Sequence, residues 1–249
     1  MTSYPYVSQL TELLGRVNLG LERADDGFVV TYERERHPLP ALPCDDIADA
    51  VRDAELLAIA AGIDAAVKNP AQLAPGEALR EGAATLLPRV ERRRFLAAYD
   101  AVLAGRGGGD DRERLFFSEL GAGLVTCYVL DGGWRFSWLA RGRVDSWGAS
   151  PGTIHSVARS NLYARHEVDH RAPEVAIGDG YDAARVALIE DVFYDRVGAA
   201  GLAVALPCRD RLLLGPDLDP AAVAAAYAEA DYPLSPAVLT YEGGQLTAR

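Results

Sequence analysis

The chain has 249 residues, 49% of them apolar and 24% charged, enough for one large domain or two small ones that bury a core without disulfides or metals. Its 25 Lys and Arg stand against 36 Asp and Glu, a net charge of −11, which repels phosphate backbones and so excludes general binding to nucleic acids or anionic membranes. Three widely spaced cysteines, Cys44, Cys127 and Cys208, argue against a disulfide framework and a thiolate zinc site.

Lys68 is the one lysine among the basic residues, so the arginine excess follows overall composition and is no sign of phosphate recognition. The opening MTSYPYVSQLTELL has no leader pattern, and no window approaches membrane-spanning length. The expected location is the cytosol.

Leu10, Leu13, Leu14 and Val17 fall at helical spacing and predict an amphipathic helix over 8–17. GFVVTYERER (27–36) alternates apolar and polar residues and predicts a strand, which HPLPALP then breaks. Asp45 or Asp46 caps a second expected helix, with Ile47, Val51, Ala54 and Ala58 on one face and a stop at Asn69-Pro70. Leu79 to Ala104 reads as helical with a break at Pro88. GRGGGDDRER (105–114) reads as a linker, because three successive glycines hold no regular structure and the Gly-Lys-Ser/Thr ending of a phosphate loop is missing.

LVTCYVL and WRFSWLA flank Asp131-Gly132-Gly133, a hairpin signal. Cys127 in that first run is expected to be a buried, inert thiol. Ser150-Pro151 starts a helix with Ile154, Val157, Ala158, Asn161 and Leu162 on one face. EVAI (174–177) is a short strand, and Asp182 is expected to cap a helix carrying Val186, Ile189 and Phe193. GLAVALP and RLLL predict a second hairpin, Asp219-Pro220 another helix, and AVLTYEG a last strand. The expected fold is α+β (mixed α/β), a mixed sheet with flanking helices and hairpins at 124–140 and 201–214, with an N-terminal region over 1–105 and a core over 112–249.

Four stretches could carry chemistry. His166-Glu167-Val168-Asp169-His170 matches H-E-x-x-H, which on a helix places two imidazoles on one face for Zn²⁺. Its charged surroundings and Pro173 favour a solvated helix end instead. Gly178-Asp179-Gly180-Tyr181-Asp182, running into Arg185, is a tight glycine turn before a helix start, either an anion site or a turn whose own carboxylates satisfy the amides. Pro207-Cys208-Arg209-Asp210 lies at a turn between strands, with Asp179 or Asp182 as the expected partners of Arg209 and a lowered thiol pKa possible at Cys208. Asn161 sits on an apolar stripe and either fixes a neighbouring backbone or faces a pocket.

Taken in order, YVLDGG, A-x-x-NL (Ala158 to Leu162), GDGYDAAR and AVALPCRDRLLL resemble the YtpQ-like family, a bacterial domain of unknown function. The similarity covers residues 115–215, and its motif falls on Asn161, Asp179, Gly180, Tyr181, Asp182, Arg185, Pro207, Arg209 and Asp210. Ala184 stands where that family usually shows Ser, which removes a serine nucleophile. HEVDH falls where the family varies. The resemblance implies no activity.

Three readings follow. The first is a binding or regulatory module, with Asp179, Asp182, Arg185, Arg209 and Asp210 bracing a surface for an unknown protein or small-molecule ligand. The second is an enzyme using Asp179, Asp182 and Asp210 as acid, base or Mg²⁺ ligands. The third is a zinc hydrolase through His166 and His170. The first is preferred because no nucleophile, base and orienting group can be assembled, and it requires no cofactor.

Overall fold

A computed structural model describes residues 6–44, 47, 52–68, 79–107, 110–133, 135–166, 169–197 and 201–249. Asp45, Asp46, Val51, Asn69-Pro70, Gly108, Gly109, Trp134, Glu167 and Val168 lie outside these residues. The fold is α+β, a mixed sheet flanked by helices. The chain divides into two compact units that interleave in sequence. One comprises Met1–Gly76, Arg92–Phe116 and Ser137–Ser146; the other comprises Glu77–Glu91, Phe117–Phe136 and Trp147–Arg249. The described residues of the 105–114 stretch, 105–107 and 110–114, fall within the first.

Helix α1 (Val7–Arg16) buries Leu10 and Leu14 from its predicted stripe. Strands β1 (Gly20–Ala24), β2 (Gly27–Tyr32) and β3 (Glu35–Leu39) form an antiparallel sheet in that order. The single strand expected over 27–36 is therefore a hairpin. Glu33 turns the chain with a left-handed φ of 55°, and a Glu-Arg turn lacks the Gly or Asn that would announce it. Pro38 does not break the sheet, because β3 is an edge strand where a missing N–H costs no ladder bond. Helix α2 (Arg52–Lys68) buries Ala54, Leu56, Ile59, Ile63 and Ala66, a wider face than the expected stripe.

The helix expected over Leu79 to Ala104 is three elements: α3 (Leu79–Ala83), β4 (Leu86–Arg92) and α4 (Arg93–Gly105). Pro88 lies inside β4, again an edge strand. In the first unit α4 packs against α2 and β3. Gly62 permits this approach, since a Cβ there would lie 2.3 Å from the Phe95 carbonyl oxygen.

Strands β5 (Phe117–Gly121) and β6 (Leu124–Asp131) pair as a hairpin. The return arm of the hairpin expected over 124–140 is a three-residue strand, β7 (Phe136–Trp138), and α5 (Arg141–Trp147) follows it. Helix α6 (Pro151–Ala164) begins as predicted, with the Ser150 hydroxyl accepting the Thr153 N–H at 3.1 Å. Strand β8 (Glu174–Val175) is followed by a 3₁₀ turn (Ala183–Leu188) and α7 (Ile189–Val192). The expected hairpin β9 (Leu202–Cys208) and β10 (Arg211–Leu214) comes next, then α8 (Pro220–Ala228), β11 (Val238–Glu242) and β12 (Gln245–Ala248).

The large sheet of the second unit runs β4-β6-β5-β12-β11-β9-β10-β8. Strands β5 and β12 are parallel, whereas β5–β6, β9–β10 and β9–β11 are antiparallel. Residues 124–129 of β6 are all buried, so this strand is covered on both faces. That accounts for its apolar run, interrupted only by the buried Thr126, and for Cys127, which is fully buried with its thiol pKa pushed up by burial.

Candidate functional site

The GDGYDAAR segment belongs to the second unit and leaves the sheet edge after β8. Gly178 and Gly180 both have φ near +80°, the left-handed region that glycine enters without steric cost. Between them Asp179 folds back, its Oδ1 accepting the Tyr181 N–H at 3.0 Å. Asp182 does not cap the following turn. Its backbone is already helical and its side chain makes no cap bond. The carboxylate instead reaches backwards, accepting the Ile177 N–H at 3.0 Å and the Gly178 N–H at 2.8 Å. The 3₁₀ turn is secured by another route: the Ala183 N–H donates to the backbone carbonyl of Arg209 at 3.0 Å.

Arg185 is the centre of the site. It is 0% exposed and makes four hydrogen bonds through its two terminal nitrogens. Nη1 donates to Asp179 Oδ1 at 2.9 Å and to Asp182 Oδ1 at 3.1 Å; Nη2 donates to Asp179 Oδ2 at 2.8 Å and to the Arg165 carbonyl at 3.2 Å. The bidentate grip on Asp179 is the fork geometry that guanidinium and carboxylate share. Tyr181 is also buried, and its hydroxyl donates to Asp131 Oδ2 at 3.1 Å, where Arg165 Nη1 donates at 3.0 Å.

Protonation follows from this wiring. Burial works to raise the Asp179 carboxyl, but the Arg185 hydrogen bond, the Tyr181 amide and the charges of Arg185 and Arg165 outweigh it and hold the pKa below the usual carboxylate range. Asp131 is lowered in the same way: the Gly133 amide, Arg165 and Tyr181 overcome its desolvation. Asp182 is raised, because burial exceeds the help of its two amides and Arg185, with Asp179 adding repulsion. Tyr181 is pushed well up by burial and then by the Asp131 charge, so it is a fixed donor.

Arg209 is not the partner of Asp179 or Asp182. Its Nη2 donates to Glu91 Oε1 at 2.7 Å, and its guanidinium lies 4.3 Å from the Tyr232 ring centroid. Arg89 Nε donates to the same Glu91 oxygen at 3.2 Å, and its guanidinium stacks over Phe136. Asp210 is exposed at the β9–β10 turn, away from these hydrogen bonds. Cys208 has no lowered pKa; burial and the Asp210 charge push it up.

Asn161 takes the structural option. Its Nδ2 donates to the carbonyl oxygens of Ala83 and Leu86, the latter at 2.8 Å, and so fixes the entry to β4. The HEVDH motif loses its premise, because α6 ends at Ala164 with Arg165 as C-cap, and His166 lies beyond it. His166 packs edge-on against Phe193, and His170 lies 3.3 Å from Asp169. Among the described residues no three His, Cys, Asp or Glu side chains converge as a metal-ligand group.

Several participants were missed in the sequence. Arg89 and Glu91 lay in a stretch expected to be helical; their spacing of two, against Leu86, Pro88 and Val90, was the available strand signal. A further set is Ser118, Tyr128 and His155. The buried Tyr128 hydroxyl bonds Ser118 Oγ at 3.1 Å and His155 Nδ1 at 3.0 Å. Burial and then Arg159 lower the His155 pKa. Serine and histidine each meet the tyrosine rather than each other, so this is no nucleophile and base pair. No family model, curated protein or solved structure matches the chain.

Proposed function

We propose that the chain is a ligand- or protein-binding module in which the GDGYDAAR segment is a brace beneath the binding surface. One observation carries this reading: each carboxylate of the segment accepts three hydrogen bonds from Arg185 and backbone amides, and Asp182 and Arg185 are fully buried. A general acid or base must reach its substrate's proton, which the buried Asp182 does not, and Asp179 is already gripped bidentately by a buried guanidinium. The segment instead fixes its own backbone and leaves the loop at residues 176–179 exposed. Membership of the YtpQ-like family, proposed on the order of the motifs, is compatible with this role and adds no activity.

The test pairs a thermal-shift screen of the intact chain with an assay for turnover. A ligand present at about a hundred times its Kd should stabilise the protein by about 2.7 kcal/mol and be recovered unchanged. Turnover of any compound that Asp182→Asn abolishes while the fold is retained would overturn the proposal.

A further inference from the structure

The outer face of α6 and the short helix α7 enclose an open groove of about 720 Å³, lined by Ser156, Arg159, Ser160, Tyr163, Glu190 and Asp191. Its size falls within the range of small-molecule sites, roughly 300–1,000 Å³. All six residues belong to the second unit. We infer that this groove binds a small organic cation bearing ammonium groups, such as a polyamine or an amino-substituted sugar. The inference rests on the binding-module reading and names its ligand class.

The charge balance selects the ligand. Arg159 is committed to Asp191: Nε donates to Oδ2 at 2.7 Å and Nη2 donates to Oδ1. These two charges cancel, and the pair ties α6 to α7. Glu190 remains. The buried Tyr241 hydroxyl faces its charge and stays protonated, its pKa pushed up to about 12 by burial and then by Glu190. A neutral hydroxyl removes no charge, and the one guanidinium of the lining serves two carboxylates, so the groove carries a net charge of −1 with Glu190 lone pairs to offer.

The other walls suit the same ligand. Tyr163 is 56% exposed, and an exposed phenol ring attracts a cation over its face. Ser156 and Ser160, one helical turn apart, accept hydrogen bonds from ammonium or donate them to hydroxyl groups. An anionic ligand would meet Glu190 and Asp191 against a single guanidinium, Arg159, among the lining residues. The net charge of −11 on the chain also draws cations to the surface.

Isothermal titration of the intact chain with spermidine, glucosamine and neutral glucose, at about 150 mM salt to screen diffuse attraction, tests the inference. Spermidine or glucosamine should bind at one site, and glucose should not. Glu190→Gln should weaken binding about tenfold and Tyr163→Ala about threefold, whereas Glu229→Gln, which removes an equal charge from an exposed position after α8, should leave it unchanged. Absence of binding by both amines, equal binding of glucose and glucosamine, or equal losses in all three variants would overturn it. None of these results touches the binding-module reading, which turnover dependent on Asp182 would overturn.

Discussion

Removing Arg185 should destabilise the second unit more than any other single side-chain change at the brace. The side chain is 0% exposed, heads the largest fully buried side chains, and donates four hydrogen bonds at 2.8–3.2 Å. With Arg185→Ala, Asp182 stays buried beside Asp179 with no cation between them. Breaking a buried pair in this way costs about 3–5 kcal/mol. Arg185→Lys keeps a charge but cannot reproduce the bidentate grip, and should cost about 2 kcal/mol. Arg185→Met separates charge from packing, because it roughly fills the space without donating. In that variant the folded carboxyls have raised pKa values, so the folded state bears an ionisation penalty at pH 7 that disappears as they take up protons. The difference from the native chain should therefore shrink as pH falls from about 7 to about 4. Urea unfolding followed by circular dichroism and by fluorescence measures both effects, two probes being needed because the two units need not unfold together. A loss for Arg185→Ala below about 0.5 kcal/mol, or a loss for Arg185→Met that does not change with pH, would refute the electrostatic account.

Glu91→Ala should cost about 3–5 kcal/mol in urea unfolding, because it leaves Arg89 and Arg209 close together and short of their shared acceptor. Asn161→Ala should cost about 1–3 kcal/mol, and Asn161→Asp more, since a carboxylate would face two carbonyl oxygens. Gly62→Ala should destabilise the first unit by about 1–3 kcal/mol through overpacking against the Phe95 carbonyl. His37 and His155 are both held below the ordinary value of 6.5, by burial first and then by Arg106 and Arg159 respectively. The unfolded chain binds protons there that the folded chain refuses, so stability should rise with pH up to about 6.5 and level off above it. In chemical unfolding across that range, replacing both histidines with Gln should flatten the slope; an unchanged slope would rule out these two groups as its source.

Where periodicity carried the information, the sequence was legible. The α1 stripe, the Ser150 and Asp219 caps and the β9–β10 hairpin all follow from local chemistry. Legibility failed where a local signal was absent or overridden. Glu33-Arg34 turns the chain without a turn residue, and edge strands tolerate Pro38 and Pro88, which read as breaks. At the site, the residue types were visible and their pairing was not. Asp182 has the composition of a cap, yet its carboxylate turns back to Ile177 and Gly178 because Arg185 and the Arg209 carbonyl hold the following turn. The true partner of Arg209, Glu91, lies 118 positions away on a strand whose Leu- and Arg-rich sequence reads as helix, so nearby Asp179 and Asp182 look like its partners. The α6–α7 groove joins ordinary surface residues whose proximity depends on the Arg159–Asp191 pair across 32 positions.

Hydrogen exchange of the Ile177 and Gly178 amides in the intact chain tests the brace most directly. If Asp182 accepts both N–H groups as a sealed structural element, the two amides should exchange only through large-scale opening and show protection close to that of the β9 core amides. Exchange at the rate of an open, solvated loop would contradict the account and return the carboxylates of GDGYDAAR to the status of available chemical groups.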